Sequence, residues 1–388
     1  MIATCIGAVS LLIWIYLLLA RGGFWRMRTD RELSAAQEAP ARKIAIIVPA
    51  RNEAALVAQA VQSLLRQTYP GPSHIFLVDD HSSDGTAEIA RQAAHEAGAS
   101  DRCTVIEGQP LPHGWTGKLW AVSQGLQAAT SFDAEYYLLT DADVVHEPDN
   151  LASLVLRAEN GDFDLVSLMV KLGCESLAER LLIPAFVFFF FKLYPPACVA
   201  RSDRRTAAAA GGCMLIRPAA LVRIGGIAAI HDQLIDDCAL ARAVKSGGRI
   251  WLGPTSTASS LRRYQSWTEI GRMISRTAFT QLRHSPLLLL AVFAGMTITY
   301  LAPPILLFSG SLFGPPAAAF GAAAWLLQSI AYWPTLRFYG LLPLWAPLLP
   351  LASLFYLGAT ILSALQYWQG RGGLWKGRVQ DPSSPRAT

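Results

Sequence analysis

Tyr136-Tyr137-Leu138-Leu139-Thr140-Asp141-Ala142-Asp143 is the stretch on which the fold turns. Its first four residues favour a packed, pleated surface. An unbroken apolar run of this length suits a strand covered on both faces, as in a parallel sheet. Asp141 and Asp143 then stand at its carboxyl end. Open α/β sheets bind ligands at that edge. Two hard oxygen donors one residue apart suit a divalent cation, which in turn holds a diphosphate. An ordinary strand-ending turn has the same look, because Asp is common in turns, so the neighbouring chain has to decide.

Upstream, strands and helices alternate. Ile44-Ala45-Ile46-Ile47-Val48 is a strand closed by Pro49, Ile75-Phe76-Leu77-Val78 one that ends in Asp79 and Asp80, and Thr104-Val105-Ile106 a third. Residues 54–67, 86–97 and 118–129 carry helical periodicity. This order predicts an α/β domain on a doubly wound, mostly parallel sheet. Polar residues that end successive strands meet on one edge of such a sheet. Here they are Arg51, Asn52 and Glu53, then Asp79 and Asp80, then Asp141 and Asp143. Downstream, 149–159 reads as a helix, 165–170 as a strand, 235–246 as an amphipathic helix opening on Asp236 and Asp237, and 249–253 as a short strand. Residues 207–216 are small and then apolar, with Gly211-Gly212 at a point of close backbone approach.

The chain has 388 residues, of which 52% are hydrophobic and only 16% charged. Soluble domains carry roughly 25% charged residues, so part of this chain belongs in a membrane. The net charge of +5, with no basic stripe interleaved with aromatics, speaks against a nucleic-acid partner. The six cysteines are scattered without a Cys-x-x-Cys pair, which excludes a zinc framework and fits a reducing compartment.

Residues 2–20 are almost wholly apolar and span about 28 Å as a helix. Arg21, Arg26, Arg28 and Arg31 follow, which places the next residues in the cytoplasm. The expected order is an anchor over 1–21, a linker over 22–42, a domain over 43–284, an apolar region over 285–369 and a cytoplasmic tail over 370–388. The Phe-rich run 181–191, broken by Pro184, is too short to span and reads as an interfacial helix over 181–195. Residues 287–308, 317–333 and 341–368 are candidate spans, giving two to three C-terminal crossings. Pro343, Pro347 and Pro350 weaken the start of the last as regular helix. Only Arg337 interrupts these blocks, so they read as an anchor or lipid-access element rather than a conduit.

Val48-Pro49-Ala50-Arg51-Asn52-Glu53, then Val78-Asp79-Asp80-His81-Ser82-Ser83-Asp84-Gly85-Thr86, then Thr140-Asp141-Ala142-Asp143 resemble the successive motifs of family 2 glycosyltransferases. These are inverting enzymes with a nucleotide-diphospho-sugar-binding domain of the glycosyltransferase A type. The similarity covers residues 43–284. Gly114-Trp115-Thr116-Gly117-Lys118-Leu119-Trp120 and His231-Asp232-Gln233-Leu234-Ile235-Asp236-Asp237 are most similar to the hopanoid-associated members.

The resemblance implies roles. Pro49, Arg51, Glu53, Asp79, Asp80, Lys118 and Asp141 would bind the nucleotide, and Asp141 with Asp143 would hold Mg2+ or Mn2+. Asp237 would be the general base, with Asp236 able to share the task. Gly211, Gly212 and Cys213 would border the donor sugar or acceptor. Outside the resemblance, Arg272, Arg276 and Arg283 are candidates either for phosphate contacts or for anionic lipid headgroups. Each has a plainer reading too: capping residues around Ser83, Asp84 and Thr86, a solvated Lys118, and helix-opening acids that complement the dipole at Asp236 and Asp237. The family's Gln-x-x-Arg-Trp motif is not cleanly present, since Gln281-Leu282-Arg283-His284 has the wrong spacing. That favours single-sugar transfer.

The expected partners are a nucleotide-sugar donor, most simply a UDP-sugar, a membrane lipid acceptor such as a hopanoid, and the bilayer. The expected place is the bacterial inner membrane, with the catalytic domain cytoplasmic. Polyprenyl-phosphate, ceramide-like and glycerolipid acceptors stay open. A nucleotidyltransferase would carry a Gly-rich loop after the first strand, where this chain has Pro-Ala-Arg-Asn-Glu. A non-enzymatic scaffold gives no reason for acids at several strand ends.

Overall fold

The strands form where the apolar runs predict. They are β1 (Ile44–Ala50), β2 (Ser73–Asp79), β3 (Cys103–Glu107), β4 (Tyr136–Thr140), β5 (Val144–His146), β6 (Leu165–Lys171), β7 (Cys213–Ile216) and β8 (Ile250–Ser260). They make one eight-stranded sheet of order β3-β2-β1-β4-β7-β6-β8-β5. The computed structural model describes residues 1–28 and 39–370, with the two-residue strands Leu374–Trp375 and Arg378–Val379. Arg31 and the rest of 29–38 in the expected linker lie outside the described residues, as do Arg371, Lys376 and most of the expected tail.

β3, β2, β1 and β4 are parallel, with Ile44 opposite both Ser73 and Tyr136. Every residue of β1 is buried, as a strand covered on both faces requires. Ile44, Ile46 and Val48 pack with Val57 and Val61 of helix α2 (Val57–Leu65) and Ala90 of α3 (Thr86–Glu96). Ala45 and Ile47 pack on the other face with Leu119 and Val122 of α4 (Gly117–Ala128).

Four of the seven strand pairings are parallel, as expected of a mostly parallel sheet, and the three antiparallel ones all involve β5 or β7. β7 is antiparallel to both β4 and β6, and β5 is antiparallel to β8, while β6 and β8 are parallel. β5 has three residues and β7 four, too few for a period to show. β8 runs on to Ser260 because Pro254 sits opposite Met169, beside a register shift between Met169 and Lys171. A bulge is one of the few places where a sheet accepts proline.

The apolar helices also differ from expectation, in count and position. Four helices among the described residues are long and apolar enough to cross a membrane: Ile2–Leu19, Leu177–Val199, Pro286–Phe308 and Pro343–Trp368. The run expected as an interfacial helix over 181–195 is the helix Leu177–Leu193, opened by a capping box. Ser176 Oγ accepts from Glu179 N, and the Glu179 carboxylate accepts from Ser176 N. Phe188 and Phe191 are buried, and Tyr356 Oη donates to the Leu182 carbonyl at 3.0 Å, so protein covers much of this helix. The expected span over 317–333 lies in the helix Pro315–Phe338, which is not one of the four. As its prolines imply, the last block starts as a 3-10 turn, Pro343–Leu348, before regular helix begins at Leu349.

The N-terminal helix is built into this bundle. Arg21 Nε and Nη2 donate to the carbonyls of Lys192 and Leu193 at 3.1 and 3.0 Å, and a cation suits that helix end. Pro303 has no N–H to offer the Thr299 carbonyl four residues back, and the helix widens into a π turn over Thr297–Leu301. Trp14 Nε1 donates to that carbonyl at 2.8 Å, and its ring meets Tyr300 edge-on at 5.5 Å. Trp14→Phe keeps the ring and orphans the carbonyl. It should lower stability by about 1–3 kcal/mol, seen as an earlier melting midpoint in detergent; an unchanged midpoint would show that the bond contributes nothing.

Candidate active site

The parallel register of β1 and β2 puts Ala50 opposite Asp79, so the two loops that leave these strands lie side by side. Asp80 N donates to the Ala50 carbonyl at 2.8 Å. The Arg51 guanidinium donates to the Asp80 carbonyl and lies 3.5 Å from its carboxylate. The capping residues of the second loop serve the first. Ser82 Oγ accepts from Asn52 N and Thr86 Oγ1 from Glu53 N, both at 2.9 Å, and Asp84 Oδ2 accepts from Ala54 N at 3.0 Å. Burial works against the Asp84 charge, but bonds from Thr86 and Ala54 hold its carboxyl below its ordinary value. Asn52 and His81 take left-handed backbone, with φ of 51° and 52°, a strain that clusters at functional loops. Asp79 is buried. Its Oδ2 accepts from Ser82 N at 3.1 Å, while its Oδ1 has no hydrogen-bond partner among the described residues. A buried carboxylate oxygen left open at a strand end is an acceptor awaiting a donor.

Thr116 caps α4, its Oγ1 accepting from Leu119 N at 3.4 Å, and this sets Lys118 in the first turn. Lys118 Nζ lies 2.9 Å from Asp141 Oδ1 and 3.6 Å from Asp236 Oδ2. Burial opposes the ammonium charge, yet Asp141 first, then Asp236 and Asp237, more than offset that and hold Lys118 protonated. Asp236 and Asp237 open the helix Asp236–Lys245. Asp237 Oδ2 accepts from Gly211 N at 3.0 Å and its Oδ1 from Cys238 N at 2.6 Å. Burial, then the like charge of Asp236, push the Asp237 carboxyl up to about 6, against the pull of Lys118. A Cβ at Gly211 would stand 3.4 Å from both Asp237 Oδ2 and Lys118 Nζ, so the main chain of this turn runs beside both groups. Pro49, Lys118, Thr140, Asp141, Gly211 and Asp236 line one pocket.

The loops on either side of this cluster pack on each other. Thr116 N donates to the His231 carbonyl at 2.9 Å, and the Trp115 and His231 rings lie 5.5 Å apart. That contact is what brings Lys118 to Asp236.

Asp143 meets a residue that the sequence reading does not single out. Arg262 Nε donates to Asp143 Oδ2 at 2.8 Å, and Arg262 Nη2 reaches Glu53 Oε1 at 2.9 Å and Oε2 at 3.0 Å. The pairing of Ser260 in β8 with Val144 in β5 delivers Arg262 there. Since β5 and the far half of β8 escaped the sequence reading, so did the arginine. Among the described residues no group of three or more His, Cys, Asp or Glu is placed to hold a metal. Mg2+ is commonly held by one or two carboxylates, with substrate phosphates and water completing its shell. Asp141 and Asp143 fit that pattern.

Pro49, Arg51, Glu53, Asp79, Asp80, Lys118, Asp141, Asp143, Gly211, Asp236 and Asp237 thus lie along one edge. Gly212 follows on β7's approach, where a Cβ would stand 2.9 Å from Val170. Cys213 turns to the opposite face of the sheet, its buried thiol 3.9 Å from Asn150 Nδ2. Arg276 caps the end of the helix Trp267–Ser275, and Arg283 sits in a turn with φ of 53°. Neither forms an ion pair with the acids of this edge among the described residues. From the same segment, Gln281 donates its amide to the Tyr194 hydroxyl.

Residues 45–225 match the family model described as Glycosyl transferase family 2. That segment carries the pattern of a family 2 glycosyltransferase domain. It contains Asp79, Asp80, Lys118, Asp141, Asp143 and Gly211, while Asp236, Asp237 and Arg262 lie beyond the matched residues and reach the family 2 edge through the fold. An undecaprenyl-phosphate 4-deoxy-4-formamido-L-arabinose transferase of Pseudomonas savastanoi pv. phaseolicola is 32% identical over 133 residues, 33% of this chain and 35% of that protein. A protein of the same name from Salmonella paratyphi B is 26% identical over 148 residues, 37% of this chain and 41% of that protein. The chain therefore spans little more than a third of the length of these curated relatives. A solved mannosyltransferase from Pyrobaculum calidifontis, in complex with GDP-Man and Mn2+, aligns over 94% of this chain and 99% of that one. Its TM-score of 0.51 at 18% identity shows a shared fold.

Proposed function

We propose that the chain is a membrane-bound inverting glycosyltransferase that moves one sugar from a nucleotide-diphosphate sugar to a membrane lipid. The observation that carries this reading is the convergence of Lys118, Asp141, Asp236 and Asp237 on the glycine turn at Gly211. Asp79, Asp80 and Arg51 bind the nucleoside, with the open Asp79 Oδ1 accepting from the base or ribose. Lys118 bonds the diphosphate as a fixed cation. Asp141 and Asp143 hold Mg2+ or Mn2+, which when bound supplies Lewis-acid charge to the leaving diphosphate. Asp237 takes the acceptor's proton as its oxygen attacks from the face opposite the diphosphate, and a single displacement inverts the anomeric carbon. The four apolar helices support a place in a membrane; the reading takes it to be the bacterial inner membrane, with this edge on the cytoplasmic side because Arg21, Arg26 and Arg28 follow the first helix.

A buried carboxylate base is of use to a hydroxyl acceptor, a hopanoid polyol being the leading one. A second reading, supported by the names of the curated relatives, takes a polyprenyl phosphate. A phosphate nucleophile carries little or no proton to remove near neutral pH, so it leans less on Asp237. The test incubates purified protein with UDP- and GDP-sugars, Mn2+ and, separately, hopanoid polyol, undecaprenyl phosphate, ceramide and diacylglycerol. Mass spectrometry looks for a lipid heavier by one sugar. No product from any donor and acceptor pair would refute the activity.

Arg262 adds an expectation of its own. Its guanidinium is paired to Asp143 and Glu53, so Arg262→Ala removes a competitor for Asp143. Mn2+ binding without nucleotide should tighten by roughly tenfold, the scale of one charge-assisted hydrogen bond, by calorimetric titration. Weaker Mn2+ binding would show that Arg262 shapes the site rather than occupying it.

A further inference from the structure

Beneath the pocket runs a chain of buried polar side chains that the proposed chemistry does not use. Thr140, the last residue of β4, donates its hydroxyl to the Gly212 carbonyl at 2.8 Å and lies 3.0 Å from His146 Nε2. His146, the last residue of β5, has its Nδ1 2.9 Å from Asn150 Nδ2. Asn150 Oδ1 accepts from Thr257 Oγ1 of β8 at 2.7 Å. Thr140, His146 and Asn150 are 2%, 5% and 0% exposed, so bulk water does not reach them.

The directions of these bonds follow from counting protons. Thr140 has one hydroxyl proton and gives it to Gly212, so toward His146 its oxygen must accept. His146 therefore carries its proton on Nε2. Its Nδ1 is then an acceptor, met by an N–H of Asn150, whose carbonyl is left for Thr257. One neutral tautomer satisfies every partner. Burial alone pulls His146 down to about 4, which keeps it in that state at ordinary pH.

The Gly212 carbonyl receives a second bond, from Asp141 N at 3.4 Å. His146 thus acts, through Thr140, on the backbone of both Asp141 and the glycine turn whose Gly211 N–H holds Asp237. We propose that His146 is a positioning residue that sets Asp141 and the Gly211-Gly212 turn for the donor's metal–diphosphate group. The inference rests on the reading of Asp141 and Asp143 given above.

The experiment reads binding rather than turnover, on the full chain in detergent. Calorimetry measures UDP and GDP, each alone and with Mn2+, and the tighter nucleotide is used thereafter. His146→Leu removes both ring nitrogens and should weaken the Mn2+-dependent part of nucleotide binding at least tenfold. Nucleotide alone, held at the Asp79 and Asp80 loops, should bind within twofold of wild type. His146→Gln, whose amide N–H stands where Nε2–H stood, should recover most of the loss. Thr140→Val breaks the same chain, and adding it to His146→Leu should weaken binding no further. Where His146→Leu does not fold, Thr140→Val carries the comparison with the same expected loss. Wild-type Mn2+-dependent binding in these variants, or an equal loss with nucleotide alone, would overturn the positioning role. Wild-type protein that binds neither nucleotide nor Mn2+ would overturn the functional reading itself, and this inference with it.

Discussion

Asp237→Asn should slow sugar transfer to a hydroxyl acceptor by about 10²–10⁴-fold, the range of a positioned general base. Donor binding should change far less. The side chain keeps its size and its Oδ1 can still accept from Cys238 N, while the amide NH2 that replaces Oδ2 gives up the bond from Gly211 N, a smaller loss than that of the base. The wild-type pH profile carries the same signature. With the Asp237 carboxyl pushed up to about 6 by burial and by Asp236, the base is charged above that pH and protonated below it. The rate should be level above about pH 6 and fall about tenfold per unit below. Lys118 favours the carboxylate, so Lys118→Met should move the acid limb to higher pH as well as weaken donor binding. Steady-state rates across pH 5–9 read both effects. A rate for Asp237→Asn equal to wild type on a hydroxyl lipid would exclude it as the base, and a small loss confined to undecaprenyl phosphate would favour the phosphate acceptor.

Asp143→Ala should cost several kcal/mol of transition-state stabilisation, about 10³-fold or more in kcat/KM. The variant deletes one of the two carboxylates offered to the metal, and it frees Arg262 to rest on Glu53 alone. Arg262 is therefore still paired, and the fold should survive, with a melting point close to wild type. The Mn2+ concentration for half-maximal activity should rise steeply. A turnover that stays high and no longer depends on Mn2+ would mean that Lys118 and Arg262 neutralise the diphosphate without a metal.

What the sequence exposed was the parallel half of the sheet and the acids at its strand ends. Runs such as Ile44 to Val48 are long, apolar and closed by Pro49, so burial pattern and boundary agree. What it concealed shares one cause. β5 and β7 are too short to show a period, and the antiparallel half of the sheet depends on them. With β5 unseen, His146 was one histidine among seven, and the partner of Asp143 could not be told from the other basic residues of its stretch. Adjacency groups Cys213 with its two glycines, although residues that alternate along a strand point to opposite faces. Counted from Leu181, the apolar run of the helix Leu177–Leu193 is too short to span, whereas the capping box at Ser176 and Glu179 starts the helix earlier. That Ser-x-x-Glu signature stands in the sequence and marks the true start.

The bond from Trp14 to the Thr299 carbonyl bears on how such a protein can be handled. A first helix that only tethered the catalytic domain could be cut away to yield a soluble enzyme. Here the first helix supplies the missing donor of a proline-interrupted neighbour, and Arg21 just beyond it closes the end of another. It serves as a keystone rather than a leash. Truncation would unseat the helices to which it is bonded, and the lost segment, supplied as a separate peptide, has two fixed points at which to dock.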